Sequence, residues 1–199
     1  MSVIGIGGMC VFLAGCGKQI THDVQSEQAQ QIEQEEQAQQ TQQTEQDRGI
    51  LSSFTATDLE GNEVTQDIFA DYDLTMVNMW ATFCGPCIRE MPELAEIQEE
   101  YAPKGVQVVG IVVDTLDYKG NLDEGQIETA KMVVEKTGAA YTHLLPSADL
   151  IQAKVKDVSS VPETIFVDKE GNQVGESYVG SRSKEQWIEI ITTLQEQIK

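Results

Sequence analysis

The chain has 199 residues, of which 40% are hydrophobic, and it carries a formal net charge of −20. This length suits one domain with additional segments, and the apolar fraction suffices for an ordinary core. Because so acidic a surface repels nucleic acid and anionic lipid headgroups, we expect neither as a direct partner. After residue 17, no apolar run is long enough to cross a membrane.

The N-terminal residues have the pattern of a leader. The apolar run over 3–15 has the length of a signal-peptide core and is too short to span a bilayer. It ends in LAGC at 13–16, which resembles a bacterial lipoprotein signal and implies that Cys16 is acylated. Signal peptides normally begin with positive charge. No Lys or Arg precedes Cys16, so whether Met1 is the true start stays open. The alternative is a buried N-terminal helix with Cys10 and Cys16 as structural cysteines.

A Gln- and Glu-rich segment follows the leader and separates it from the rest of the chain. Residues 18–48 contain almost no apolar side chains, so they cannot bury enough surface to offset the entropy of ordering. We therefore predict a signal peptide over 1–15, an anchor cysteine with a disordered tether over 16–48, and a globular domain over 49–199.

The globular domain alternates strand and helix patterns, which predicts an α/β fold with a central mixed β-sheet flanked by helices on both faces. An acidic loop over 114–124 is interpreted as a solvated connection. The predicted elements are strands over 54–59 and 63–65, a buried strand over 73–80, a helix from Pro86 toward Tyr101 that Pro92 kinks, a buried strand over 106–113, helices over 127–137 and 150–155, a hairpin of 164–167 and 173–178, and a helix over 184–198.

Two cysteines lie where the strand over 73–80 gives way to the following helix. The helix N-terminus stabilises a thiolate at Cys84, and the thiolate is the attacking species in disulfide exchange. Cys87 lies about one turn later, within reach of Cys84, and we expect it to be the more buried of the two. Gly85 lets a client backbone approach closely, and Pro86 stiffens the turn. The pattern predicts a redox-active disulfide that works without a further cofactor.

A zinc site is the alternative use of these two cysteines. Zinc takes about four ligands, and only His22 and His143 are available as histidine partners. Neither histidine stands at ligand spacing to the cysteines, so we expect no metal.

The segment WATFCGPC over 80–87 resembles the active site of the thioredoxin superfamily. Its continuation to Pro92 resembles the membrane-tethered TlpA/ResA group of bacterial thiol–disulfide oxidoreductases. The resemblance covers 50–199 and implies a thioredoxin-like fold with an N-terminal hairpin extension and an insert helix between Asp114 and Pro162.

The resemblance also implies roles for individual residues. Val161 and Pro162 occupy the place of the cis-proline loop, which faces the two cysteines and pairs with a client's backbone. Glu90 looks like the carboxylate that handles protons beside Cys84 and Cys87. From the residues alone, Glu90 is equally well an exposed helix carboxylate paired with a cation.

Three further positions complete the expected site. Trp80 and Phe83 are expected to pack beside the cysteines and to form a platform for the client. Asn78 stands where cytoplasmic thioredoxins carry a buried aspartate.

The resemblance implies a dithiol reductant lipid-anchored at the extracytoplasmic face of a bacterial membrane. Outside the cytoplasm no glutathione pool re-reduces the cysteines, so electrons must come from a membrane thiol donor, of the CcdA or DsbD kind by resemblance. The clients expected are disulfide-containing proteins such as apocytochrome c or methionine sulfoxide reductase.

Three other functions stay open at this point. A thiol peroxidase of the AhpC/TSA-related type would carry Thr three residues before its reactive cysteine, where this chain has Ala81 before Cys84. The protein can also be an oxidant that installs disulfides. The non-enzymatic alternative is a tethered binding module that uses the fold as a scaffold.

Overall fold

A computed structural model describes residues 49–198. The predicted signal peptide, the anchor Cys16 and the tether over 16–48 lie outside the described residues. Within the described part of the chain, no helix is long and apolar enough to cross a membrane.

The described residues form seven strands and four helices, along with short 3₁₀ turns. The strands are β1 (Thr55–Thr57), β2 (Glu63–Thr65), β3 (Leu74–Trp80), β4 (Val106–Val112), β5 (Thr142–Leu144), β6 (Glu163–Val167) and β7 (Gln173–Val179), and the helices are α1 (Gly85–Tyr101), α2 (Glu124–Thr137), α3 (Ala148–Ala153) and α4 (Lys184–Gln197).

A five-stranded mixed sheet in the order β5-β4-β3-β6-β7 forms the centre of the fold. Strand β3 runs parallel to β4 and antiparallel to β6, and β6 and β7 form the predicted hairpin. All residues of β3 and β4 are buried, as expected for strands covered on both faces. Strands β1 and β2 form the separate antiparallel N-terminal hairpin. The predicted thioredoxin-like mixed sheet is therefore confirmed.

Two apolar cores lie on opposite faces of this sheet. One core receives Met91 from α1, Ile127 from α2 and Trp187 from α4, and it also contains Cys84 and Cys87. The other core covers the opposite face with the segment before β1, which contributes Leu51, and with α3. The alternation along β3 sends neighbouring side chains into different cores. Cys84 and Cys87 therefore belong to only one of the two cores.

The boundaries of several elements differ from the predicted ones because short polar contacts set them. Helix α2 begins at Glu124, earlier than predicted, because the Asp123 carboxylate accepts the backbone N–H groups of Gly125 and Gln126. Helix α3 begins at Ala148, where Ser147 provides the same cap. Strand β5 was not predicted, since three residues are too few for a periodic pattern. Helix α1 continues through Pro92 to Tyr101.

One five-residue turn, Asp-x-x-Gly-Asn, occurs three times, at 58–62, 117–121 and 168–172. In each copy the Asp carboxylate accepts the backbone N–H groups two and four residues later, together with the Asn side-chain amide. The glycines all have positive φ, between 80° and 89°. The middle copy lies inside the acidic loop that was interpreted as a solvated connection, and its sequence pattern could have revealed it.

The first and third copies of this turn offer a matched test of packing. A Cβ at Gly171 would lie 2.5 Å from the Leu51 carbonyl oxygen, whereas a Cβ at Gly61 would meet nothing within 4 Å. Both glycines have a similar positive φ, so the backbone strain of an alanine is the same, about 1–2 kcal/mol. We expect Gly171→Ala to lower the free energy of unfolding by about 2–4 kcal/mol, which is clearly more than the loss expected for Gly61→Ala.

Urea unfolding of the oxidised protein, followed by tryptophan fluorescence, measures both variants on the same scale. Equal losses of stability for Gly171→Ala and Gly61→Ala would contradict the packing of the third turn against the segment before β1.

Candidate active site

The two cysteines lie at the junction between β3 and α1, as the sequence predicted. Cys84 is the N-cap of α1, and its Sγ accepts the backbone N–H of Cys87 at 3.2 Å. Cys84 and Cys87 form a disulfide with their Cα atoms 5.3 Å apart. Cys84 is 5% exposed and Cys87 is 1% exposed, so a client reaches Cys84 more easily.

The loop before β6 lies against Cys84. The Val161 carbonyl oxygen is 3.5 Å from Cys84 Sγ, and the Val161–Pro162 peptide bond is cis. Val161 is half-buried and Pro162 is buried. Beyond them, the Pro162 carbonyl accepts the backbone N–H of Gly180 at 2.8 Å. The structure thus brings the predicted loop and the reactive sulfur together.

Several residues beside Cys84 are exposed to solvent and can contact a client. The Phe83 side chain is 78% exposed, and Pro86 is exposed as well. Gly85 is half-buried, and a Cβ there would approach the Arg89 side chain at 3.3 Å. An exposed aromatic ring directly before the reactive cysteine provides apolar surface to a bound chain.

Trp80 does not belong to this exposed surface. Its side chain is 0% exposed, so the predicted contact between Trp80 and a client is wrong. The Trp80 indole N–H donates to His143 Nδ1 at 3.1 Å, and His143 Nε2 donates to the Ala139 carbonyl at 2.9 Å. Burial lowers the pKa of His143 to about 4, which keeps the ring neutral. Gly110 lies against this ring, because a Cβ there would be 2.2 Å from Nδ1.

Glu90 is buried between α1 and α4, with 3% exposure. Its Oε1 accepts the backbone N–H of Arg182 at 2.8 Å and the indole N–H of Trp187 at 2.7 Å. Its Oε2 is buried without a hydrogen-bond partner among the described residues. The interpretation of Glu90 as an exposed carboxylate is therefore wrong, since α4 covers it.

The pKa of Glu90 is raised, and burial is the largest cause because it disfavours the charged form. The two hydrogen bonds to Oε1 and the positive charge of Arg182 lower the pKa and so oppose this effect, while the neighbouring Glu93 raises it further. A buried carboxyl with a raised pKa, one turn after Cys87, has the properties of a proton acceptor for a thiol.

Three contributors to the site were missed by the sequence reasoning. Asp114 accepts the Thr82 backbone N–H at 3.0 Å and the Thr82 hydroxyl at 2.6 Å, which holds the turn before Cys84. Asp114 follows β4, the parallel neighbour of β3, and the carboxyl ends of parallel strands meet at one sheet edge. That placement is a signal the sequence offered. Arg182 and Trp187 gave no local signal, because their contacts with Glu90 bridge distant segments.

Asn78 lies on β3 in the position expected from the resemblance. It is 1% exposed, and its side-chain amide donates to the Thr164 hydroxyl on β6 at 3.0 Å. This side chain cannot exchange protons. Among the described carboxyl groups, Glu90 is the one whose pKa is raised, and it lies three residues after Cys87 on α1.

The raised pKa of Glu90 makes the stability of the oxidised protein depend on pH. The folded protein holds this proton more tightly than the unfolded chain, whose carboxyl titrates near 4.5. The contribution of the neutral carboxyl is therefore lost as pH rises from about 4.5 through the folded pKa. We expect Glu90→Gln to gain stability relative to wild type across this range, because glutamine stays neutral.

Urea unfolding of both proteins at several pH values between about 4 and 8 tests this expectation. Glu99→Gln is the control, since Glu99 is exposed on the same helix. A pH-independent difference between Glu90→Gln and wild type would show that the carboxyl has an ordinary pKa.

Comparison with known proteins identifies the family. The model of the AhpC/TSA family matches residues 50–174. The thiol-disulfide oxidoreductase ResA of Bacillus thuringiensis (strain Al Hakam) is 28% identical over 134 residues, which cover 67% of this chain and 70% of the relative. ResA of Geobacillus kaustophilus is 27% identical over 132 residues, covering 66% of this chain and 68% of the relative.

A solved structure shares the fold over most of its length. The crystal structure of a thioredoxin-family thiol:disulfide interchange protein from Chlorobium tepidum TLS superposes with a TM-score of 0.59 at 25% identity. The match covers 71% of this chain and 92% of that protein. The chain belongs to the AhpC/TSA family, and within the thioredoxin superfamily it is a ResA/TlpA-like protein.

Proposed function

We propose that this protein reduces disulfides of client proteins at the extracytoplasmic face of the cell membrane, with Cys84 as the nucleophile and Cys87 as the resolving thiol. It is a thiol–disulfide oxidoreductase, in keeping with its ResA relatives. The observation that carries the proposal is the Cys84–Cys87 disulfide at the N-terminus of α1, with Cys84 the more exposed residue of the pair.

The reaction begins from the dithiol form. The Cys84 thiolate attacks one sulfur of a client disulfide, which forms a Cys84–client disulfide and releases the other client sulfur as a thiolate. Cys87 then attacks Cys84 Sγ, the enzyme disulfide forms, and the second client sulfur leaves. The client gains two electrons and, from solvent, the protons for its thiols. A dithiol donor restores the enzyme by the reverse exchange.

The N-terminus of α1 and Glu90 have separate roles: the first stabilises the Cys84 thiolate, and the second accepts the proton of Cys87. Backbone N–H groups at the start of α1 stabilise the Cys84 thiolate, as the contact from the Cys87 N–H to Cys84 Sγ illustrates. Cys87 is almost fully buried, so it needs a proton acceptor inside the protein before it attacks. The Glu90 carboxylate accepts that proton, because its raised pKa brings its affinity for protons closer to that of a thiol.

The client's backbone lies along the Val161–Pro162 loop in this proposal. The half-buried Val161 presents its carbonyl toward Cys84 Sγ, so a chain attached to that sulfur passes directly beside it. The exposed rings of Phe83 and Pro86 flank the same sulfur and offer apolar contact. Clients are disulfide-containing proteins, with apocytochrome c and methionine sulfoxide reductase as specific candidates.

The leader sequence supports anchoring of this protein to the membrane through a lipid. The LAGC pattern supports lipidation of Cys16, and the Gln- and Glu-rich residues up to 48 would separate the lipid from the domain. A membrane thiol protein of the CcdA or DsbD kind would supply electrons, because the compartment lacks a reducing thiol pool. The disulfide is the redox group, and the reaction requires no additional cofactor.

Substitution of each cysteine separates their roles. We expect Cys84→Ser to abolish the acceleration of insulin reduction by dithiothreitol, because the remaining Cys87 is almost fully buried. We expect Cys87→Ser to accumulate a covalent complex with a client, since nothing resolves the mixed disulfide. Insulin precipitation and non-reducing gels measure the two outcomes. Undiminished insulin reduction by Cys84→Ser would contradict the proposal.

The direction of exchange is tested by the reduction potential of the Cys84–Cys87 couple, equilibrated in thiol buffers. We expect a value close to the ~−270 mV of thioredoxin rather than the ~−120 mV of a strong oxidant such as DsbA. A value at the oxidising end would instead support the installation of disulfides. Rapid peroxide consumption by wild type, absent in Cys84→Ser, would favour the AhpC/TSA-type peroxidase despite Ala81 before the cysteine.

Lipidation is tested in cells. We expect wild type to fractionate with membranes and to incorporate a radiolabelled fatty acid, and Cys16→Ala to lose the label. Cys10→Ala is the matched control, because it removes the other leader cysteine. Equal labelling of wild type and Cys16→Ala would contradict the proposed anchor.

A further inference from the structure

The segment between β7 and α4 contacts both halves of the proposed site. On one side, the Gly180 backbone N–H donates to the Pro162 carbonyl at 2.8 Å. On the other side, the Arg182 backbone N–H donates to Glu90 Oε1 at 2.8 Å. Residues 179–182 therefore join the cis-proline loop to the buried carboxyl of α1. The sequence reasoning assigned no role to this segment.

The Arg182 side chain folds back onto the same segment. Its Nη1 donates to the Gly180 carbonyl at 2.9 Å and lies 3.4 Å from the Val179 carbonyl. The guanidinium carbon lies 5.1 Å from the ring centre of Tyr178 and 5.0 Å from that of Trp187. Two aromatic rings and two carbonyls thus surround the guanidinium, whose several N–H donors a Lys side chain does not reproduce.

The charged and titratable groups around Glu90 come from three elements. Helix α1 itself contributes Glu93, the region of α4 contributes Arg182 with the indole of Trp187, and the segment before β5 contributes Tyr141. The Tyr141 hydroxyl and Glu90 Oε2 are both buried without hydrogen-bond partners among the described residues. Arg182 is the positive charge in this set, so it favours the ionised form of Glu90.

We infer that Arg182 is a positioning residue that couples the charge on Glu90 to the Val161–Pro162 loop, and so couples proton transfer to the grip on the client. The inference rests on the proposed function, because it assigns work to the same site. The inference goes beyond the proposed function by naming a residue that contacts neither sulfur.

The coupling acts in the resolving step. Cys87 gives its proton to Glu90 and its sulfur forms the bond to Cys84 Sγ, while the bond between Cys84 and the client breaks and the client sulfur leaves with the electron pair. Neutral Glu90 no longer attracts Arg182, and its charge-assisted hydrogen bond from the Arg182 N–H weakens. The segment 179–182 then holds the Pro162 carbonyl less firmly, which favours release of the reduced client.

Two variants separate the charge of Arg182 from the contacts of its guanidinium group. Arg182→Met removes the charge, so we expect the Glu90 pKa to rise, seen as an upward shift in the carbon-13 NMR titration of its carboxyl group. Arg182→Lys keeps the charge and loses the guanidinium hydrogen bonds to the Val179 and Gly180 carbonyls, so we expect a titration close to wild type. The Glu90→Gln variant assigns the signal, and Lys136→Met, which removes an exposed charge on α2, is the matched control.

Kinetics test the link to the loop. With dithiothreitol as donor, we expect both Arg182 variants to raise KM for insulin several-fold, and to change the rate with a small disulfide such as cystine much less. A small disulfide lacks the backbone that the loop would hold. In the Glu90→Gln background, Arg182→Met should raise the KM for insulin less than it does with Glu90 present, because the part of its effect that depends on the Glu90 charge is gone. A merely structural role would lower thermal stability and affect both substrates alike.

The outcomes distinguish this inference from the proposed function. If Arg182→Met leaves the Glu90 titration unchanged, or if its effect on KM is the same with and without Glu90, the inference is overturned. If Arg182→Met does not fold, an insulin KM for Arg182→Lys equal to that of wild type overturns it. If wild type itself fails to reduce insulin, the proposed function fails instead.

Discussion

The change from strand to helix at Cys84 is the constraint on which the site depends. Strand β3 is buried along its whole length, so the chain emerges only where β3 ends, and α1 begins almost at once. Cys84 serves as the N-cap, so its sulfur takes the place of the oxygen that usually accepts a first-turn N–H. The same interaction that begins the helix also places a sulfur where backbone N–H groups stabilise negative charge.

The buried carboxyl of Glu90 belongs both to the proposed active site and to the packing of α4 on α1. Burying Glu90 is unfavourable unless its charge is compensated, and the compensation comes from the Arg182 backbone just before α4 and from the Trp187 indole on α4. Helix α4 therefore packs on α1 and sets the proton affinity of Glu90 at the same time. Its next contact continues the pattern, because the Lys184 backbone N–H donates to the Glu93 carboxylate. Redox chemistry and the docking of the last helix share one set of hydrogen bonds.

Residues close in sequence made much of this site predictable. The CGPC pattern after an apolar run predicted the disulfide at a helix start, because this placement depends on neighbours within a few positions. Trp80 is a residue for which this local reasoning failed. An aromatic residue before the cysteines suggested a surface platform, yet the strand continues through it, so its side chain points into the core and pairs with His143.

Local pattern by itself determined six of the seven described strands, the four described helices and the chemistry of the two cysteines. Periodicity, capping and turn formation involve residues only a few positions apart, so they are encoded in short stretches of sequence. Only the tertiary structure decided that Glu90 is buried, that Arg182 and Trp187 contact it, and that Asp114 holds the turn before Cys84. These contacts join segments far apart in the chain, and the packing of α4 and the pairing of β3 with β4 create them.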